Sequence, residues 1–190
     1  MNNGHVKNPE IGTRAPQFRL PSIQGTRFSL YRREGTWVVL VFYRGSWCPM
    51  CNIQMKSLAR DYPRFQALNA EVIAVSADTP EGAEKIRDKS GAPFPILLDE
   101  GNSVTKSYGL LAEKREWKDL PALVHGKKSE TYAIPGVFII DPQGILRYSY
   151  VSKSFKDRVK NDDLITRLKH LQRRRSQKKR VEVEERGHKM

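Results

Sequence analysis

Cysteine is nearly absent: Cys48 and Cys51 are the only two in the chain. A scaffold stapled by several disulfides is therefore excluded. A structural zinc site needs four ligands, and no second Cys-x-x-Cys or His-x₃-His pair exists to complete one. His5, His125, His170 and His188 are scattered along the chain. No stretch reaches the roughly 18 consecutive apolar residues of a membrane span. Met1 to Pro16 lacks the apolar segment of a secretory signal, so the expected compartment is the cytoplasm, with no membrane partner. In that reducing compartment two cysteines read as catalytic, redox-sensing or metal-binding rather than as a staple.

Acidic residues are also scarce, 21 against 34 Lys and Arg, for a net charge of +13. The excess is concentrated at the C-terminal end. From Arg173 to Met190 eight Lys and Arg face three Glu, a net +5, leaving +8 for the other 172 residues. Residues 173–190 are expected to form a basic, flexible, solvated tail whose functional use is weak phosphate or nucleic-acid contact. No aromatic residue interleaves the run, so it offers nothing for a base to stack on.

What remains is an ordinary core diluted by polar ends. Apolar residues make up 38% of the 190, enough for one domain with tails. Residues 1–14 are expected to be a flexible arm and 15–172 the domain. Ala15–Gly25 contains a short alternating stretch and then a Gly turn, and Arg27–Leu30 is a candidate hairpin partner pairing back on it. Trp37–Tyr43 is a continuous β-branched and aromatic run, the pattern of a strand buried on both faces. Met55, Leu58, Tyr62, Phe65 and Leu68 then recur at helical spacing. Glu71–Ala77 is a second strand, and Asp78-Thr-Pro starts a second helix that Gly91 ends. Phe94–Asp99 is extended, and Asn102–Tyr108 is a short helix. Residues 110–133 lack a period and are expected to be an irregular insertion. Gly136–Asp141 and Ile145–Val151 form a hairpin across Pro142-Gln-Gly144. Asn161 or Asp162 caps a last helix with Leu164, Ile165, Leu168 and Leu171 on one face. The sum is an α/β fold, a central mixed sheet flanked by helices with an N-terminal β extension.

Cys48-Pro49-Met50-Cys51 sits between a buried strand and an amphipathic helix, the context in which Cys-x-x-Cys reads as redox-active. Unpaired N–H groups at a helix start stabilise a thiolate, and Arg44 adds positive potential. Pro49 suits an early helical position. One sulfur attacks and the other resolves, so both cysteines are candidate catalytic residues. Cys48 is expected to face solvent and Cys51, one turn in, to be shielded. Trp47 is expected to cover the pair. Ile134-Pro135, just before a strand, is the second candidate element: a cis-proline loop beside the dithiol, able to pair with an incoming chain or substrate.

These residues resemble a known group. Trp47-Cys-Pro-Met-Cys51 is similar to the thioredoxin active site, and Ile134-Pro135 to the loop that carries its cis-proline. Ala15-Pro-Gln-Phe18, Phe42-Tyr43, Ser76-Ala-Asp78, Phe94–Asp99, Tyr108-Gly109 and Phe138–Gly144 together resemble the peroxiredoxin family, also called alkyl hydroperoxide reductase/thiol-specific antioxidant, over about residues 10–170. The resemblance implies a thioredoxin-like fold. It also implies a dithiol–disulfide cycle acting on hydroperoxides or protein disulfides, no metal or organic cofactor, and a thioredoxin-type protein or small thiol as reductant. It carries departures. Arg44 stands where that family's site has Pro, and Cys48 where it has Thr. Cys51 falls at the peroxidatic position, and Pro135 near where a distant Arg belongs. The peroxide-activating hydrogen bonds are therefore expected to be largely missing. The thioredoxin likeness makes Cys48 the nucleophile and the peroxiredoxin likeness makes it Cys51. The competing class is a non-enzymatic redox sensor or nucleic-acid-associated module that uses the basic tail.

Overall fold

The computed structural model describes residues 7–33, 35–113, 131–154 and 156–187. Strands β1 (Arg19–Pro21) and β2 (Arg27–Ser29) form the expected N-terminal hairpin. The domain is organised on β3 (Trp37–Phe42), buried at every position. It runs parallel to β4 (Ala70–Ser76), which runs parallel to β5 (Ile96–Leu98). A short antiparallel pair of β6 (Leu111–Glu113) and β7 (Thr131–Ala133) precedes β8 (Gly136–Ile140). β8 is antiparallel to β3 and turns back into β9 (Leu146–Val151). The sheet order is β5-β4-β3-β8-β9.

Because successive side chains of a strand point to opposite faces, β3 feeds two cores. Trp37, Val39, Val41 and Tyr43 face one layer of helices: α1 (Pro49–Gln66), α2 (Pro80–Ser90) and α4 (Asn161–Gly187). Val38, Leu40 and Phe42 face the N-terminal hairpin and α3 (Ser103–Ser107). There the Tyr108 ring lies 5.0 Å from Phe42 and 4.9 Å from Phe138. Local signals act as their chemistry dictates. The Thr79 hydroxyl accepts the Gly82 N–H at 3.1 Å to cap α2, and Gly91 closes that helix at φ +67°.

Three segments differ from expectation. The arm is tied down from Asn8 onward: the Asn8 amide donates to the Tyr108 carbonyl, and Gly12 N–H donates to the Leu146 carbonyl. Residues 111–113 and 131–133 are paired strands rather than irregular chain, while 114–130 lie outside the described residues. The expected flexible tail is helical, because α4 runs on to Gly187. Lys, Arg and Gln are good helix formers, and no Gly or Pro interrupts the run before Gly187. A missing apolar face deprives this stretch of packing, not of helical propensity. No helix among the described residues is long and apolar enough to cross a membrane.

Candidate active site

The C-terminal end of β3 delivers the chain through Tyr43, Arg44 and Gly45 to the start of α1. Gly45 has φ +154°, and a Cβ there would meet the Trp47 indole nitrogen at 2.5 Å, so only glycine fits. Ser46 N–H donates to the Asp78 carboxylate at 2.6 Å. The Asn52 amide donates to the carbonyls of Ser46 and Cys48, each at 2.8 Å. The turn that presents Cys48 is thus clamped from α2's approach and from within α1. Cys48 is the N-cap of α1, Pro49 lies in its first turn, and Cys51 N–H donates to the Cys48 carbonyl at 3.0 Å.

Both cysteines are free thiols with no solvent exposure. Cys48 was expected to face solvent, and that expectation is overturned: the half-buried Trp47 and Met50 pack against the cluster that holds both sulfurs. The two thiols are perturbed in opposite directions. The Cys51 thiol donates to the Cys48 sulfur. With help from the helix-start N–H of Cys51 and from Arg44 and Arg158, and against burial, this pulls Cys48 from 9.0 down to about 6. Burial, together with the bond given to Cys48 and its charge, raises Cys51 well above 9.0. Both shifts favour the thiolate at Cys48 and the proton on Cys51.

Two guanidinium groups flank the pair. Arg44 is buried, with Nη1 3.9 Å from Cys48 Sγ and its plane 5.8 Å from the centre of the Tyr132 ring. Arg158 comes from the segment between β9 and α4. Its Nη2 lies 3.6 Å from Cys51 Sγ, its Nε donates to the Gln54 side-chain carbonyl at 3.1 Å, and its Nη1 donates to the Asp157 carbonyl at 2.6 Å. A cleft of about 330 Å³ opens over Arg158 and Gln54, bordered by Met50, Ile53 and Val159. At its far side Asn161 donates to the Asp61 carboxylate at 2.8 Å, joining α4 to α1. The Arg60 and Asn161 hydrogen bonds hold Asp61 down at about 2.

The sequence-derived set is partly assembled. Arg44, Trp47, Cys48, Pro49 and Cys51 come together. Ile134 shares a small apolar cluster with Trp47, Ala112 and Tyr132. The Ile134–Pro135 bond is trans, since no peptide bond among the described residues is cis. Ile134 N–H donates to the Leu110 carbonyl and Pro135's carbonyl accepts from Ser152 N–H, so the chain passes extended from β7 into β8 without a tight turn. Arg158, Gln54, Asn52 and Asp78 were not foreseen. The guanidinium missing near Pro135 is supplied by Arg158, in a stretch without pattern. Among the described residues no three His, Cys, Asp or Glu side chains gather as a metal site.

The model of the AhpC/TSA family matches residues 11–149. The chain belongs to that family. A peroxiredoxin Q, chloroplastic, from Oryza sativa subsp. japonica is 31% identical over 73% of this chain and 58% of its own length. A peroxiredoxin from Aquifex aeolicus (strain VF5) is 29% identical over 75% of this chain and 61% of its own. The chain thus spans 58–61% of the length of these curated relatives. Among solved structures, peroxidoxin BcpB from Mycobacterium tuberculosis superposes with a TM-score of 0.69 at 20% identity, covering 84% of this chain and 96% of that one. The peroxiredoxin 6 of Arenicola marina, in the form of a cysteine-to-serine mutant, gives 0.72 at 20% identity, covering 87% and 74%. These likenesses establish the thioredoxin-like α/β fold within the AhpC/TSA family. The family match contains both cysteines and Arg44 but ends before Arg158.

Proposed function

We propose that this protein is a thiol-dependent oxidoreductase that reduces hydroperoxides through a Cys48/Cys51 dithiol–disulfide cycle. Membership of the AhpC/TSA family and the peroxiredoxin names of the relatives support the reaction class. The observation that carries the mechanism is the geometry of two buried free thiols at a helix start, with Arg44 Nη1 3.9 Å from Cys48 Sγ and Arg158 Nη2 3.6 Å from Cys51 Sγ, which favours a thiolate at Cys48 and a proton on Cys51.

The Cys48 thiolate attacks one oxygen of the peroxide. The O–O bond breaks, Cys48 becomes a sulfenic acid, and the leaving alkoxide or hydroxide takes up a proton. Arg44 stabilises the charge on the nucleophile. Cys51 then gives up its proton with help from Arg158, and its sulfur attacks Cys48 and releases water, leaving the Cys48–Cys51 disulfide. A thioredoxin-type dithiol or small thiol supplies the two electrons that restore the pair. Since both sulfurs are covered, Trp47 or Met50 moves aside to admit reactants. Trp47, Pro49, Ile134 and Pro135 act as supports that shape the approach rather than as reacting groups.

The test is steady-state peroxide turnover with one defined reductant by wild type, Cys48→Ser and Cys51→Ser. The reading expects no turnover from Cys48→Ser and reductant-dependent residual turnover from Cys51→Ser. Wild-type turnover no faster than that of the Cys48→Ser, Cys51→Ser double variant contradicts it.

A further inference from the structure

The basic tail has no aromatic of its own, but the fold brings two beside it. Tyr148 and Tyr150 lie two positions apart on β9, hence on one side of an edge strand, and both are half-exposed. Between them and α4 runs a groove of about 530 Å³ that also includes Arg158, Lys160, Arg167 and His170, with Asp163 as its one lining carboxylate among the described residues. The Arg167 guanidinium lies 5.4 Å from the Tyr148 ring centre. The Tyr150 hydroxyl bonds to the Asp157 carboxylate, which fixes that ring.

The groove continues onto α4. Arg167, His170, Arg174 and Lys178 are spaced i, i+3, i+7 and i+11, so they form one stripe on the helix. At 1.5 Å per residue it extends roughly 16 Å. All four are exposed. Between Leu164 and Val181 the helix carries eight Lys and Arg and no Asp or Glu. Among the described residues, Leu171 is the last apolar side chain of α4 that packs against the core. Like charges at i, i+4, such as Lys169 and Arg173, oppose such a helix, and a bound polyanion relieves that repulsion. Beyond Leu171 this stretch has no apolar stripe with which to enter a lipid interface. A duplex would meet the cations but keep its bases stacked inside, out of reach of two partly exposed rings.

We propose that the Tyr148/Tyr150 groove and the Arg167–Lys178 stripe form a binding track for single-stranded nucleic acid. Bases stack on the tyrosines and on the Arg167 plane, and phosphates follow the α4 cations. The track touches the dithiol site through Arg158.

The experiment is fluorescence anisotropy on the full, reduced chain with a labelled single-stranded oligonucleotide of about 12 nucleotides. The competitors are its duplex and phosphatidylserine vesicles. The single strand is expected to bind more tightly than the duplex, with log affinity falling linearly in log salt. Arg174→Gln with Lys178→Gln should flatten that slope by about 0.7 per cation removed. Tyr150→Leu, which keeps apolar bulk, should weaken binding about 5- to 100-fold. Circular dichroism identifies any variant that fails to fold. If Tyr150→Leu does so, the glutamine pair and the competition with duplex still decide the matter. No oligonucleotide binding at low salt, equal affinity for duplex, vesicle binding in place of oligonucleotide binding, or a folded Tyr150→Leu that binds like wild type would each overturn the proposal.

Discussion

Arg158 Nη2 stands 3.6 Å from Cys51 Sγ, although 107 positions separate the two residues in the chain. The side chain is held in place by the bond from its Nε to Gln54 and the bond from its Nη1 to the Asp157 carbonyl. Arg158→Met keeps much of the aliphatic bulk and removes a charge-assisted contact of about 1.5–3 kcal/mol. The rate of Cys48–Cys51 disulfide formation after one equivalent of peroxide is expected to fall roughly 10- to 100-fold, with the secondary structure unchanged. Arg158→Lys is expected to recover little, because an ammonium cannot hold Gln54 and Cys51 together. A rate of disulfide formation within twofold of wild type for Arg158→Met would remove Arg158 from the mechanism.

The Cys48 thiol provides a pH signature. Its rate of alkylation by iodoacetamide is expected to rise through a midpoint near 6 and to level off above it. Cys51→Ala removes the largest support of the thiolate, so the midpoint should move toward 9.0. An unmoved midpoint would show that the helix start and the arginines suffice alone.

The same shifts set how the reduced protein's stability varies with pH. A thiol depressed on folding contributes stability that is complete above its unfolded value near 9.0 and is lost as pH falls toward about 6. Cys51, raised on folding, acts in the opposite sense and takes stability away above 9.0. The urea midpoint of the reduced wild type, relative to Cys48→Ala, should therefore climb between about pH 6 and 9. A flat difference across that window would contradict the assigned thiolate.

Gly45 is where the site has least tolerance. A Cβ at Gly45 collides with the Trp47 indole, and the backbone there favours glycine. Gly45→Ala is expected to cost about 1–3 kcal/mol of stability and to displace Trp47 from its place over the dithiol. Denaturant unfolding and Trp fluorescence read the two effects. Unchanged stability together with unchanged emission would show that the turn relaxes freely.

Much of this was legible in the sequence because it rests on local chemistry. The β-branched run at Trp37–Tyr43, the Thr79-Pro80 start and Gly91 end of α2, and Cys48-Pro-Met-Cys51 between strand and helix each declare their structure within a few residues. What was hidden depends on the tertiary fold. Arg158 gives no local sign that it returns to Cys51. Tyr148 and Tyr150 read as strand residues until α4 is laid beside them. Cys48 was misjudged because a helix start suggests exposure, whereas Trp47 and Met50 fold over it. The tail of residues 173–190, expected to be flexible, is helical to Gly187 because a missing apolar face removes packing but not helical propensity.

That propensity can be tested separately from packing. Beyond Leu171 the helix is fastened by Gln172 to the Leu68 carbonyl and by Arg175 to Gln143 at 3.0 Å. A chain ending at Gln172 should lose helical circular dichroism while its melting temperature changes by only about 2–4 °C. A fall well beyond that would mean the distal helix is packed.

The most direct test of the account is sulfenic-acid trapping with dimedone after one equivalent of hydrogen peroxide, read by peptide mass spectrometry in Cys51→Ser and in Cys48→Ser. Cys51→Ser should carry the adduct on Cys48 and Cys48→Ser should remain unmodified. The reverse pattern, an adduct on Cys51 in Cys48→Ser and none in Cys51→Ser, would make Cys51 the attacking sulfur and contradict the mechanism.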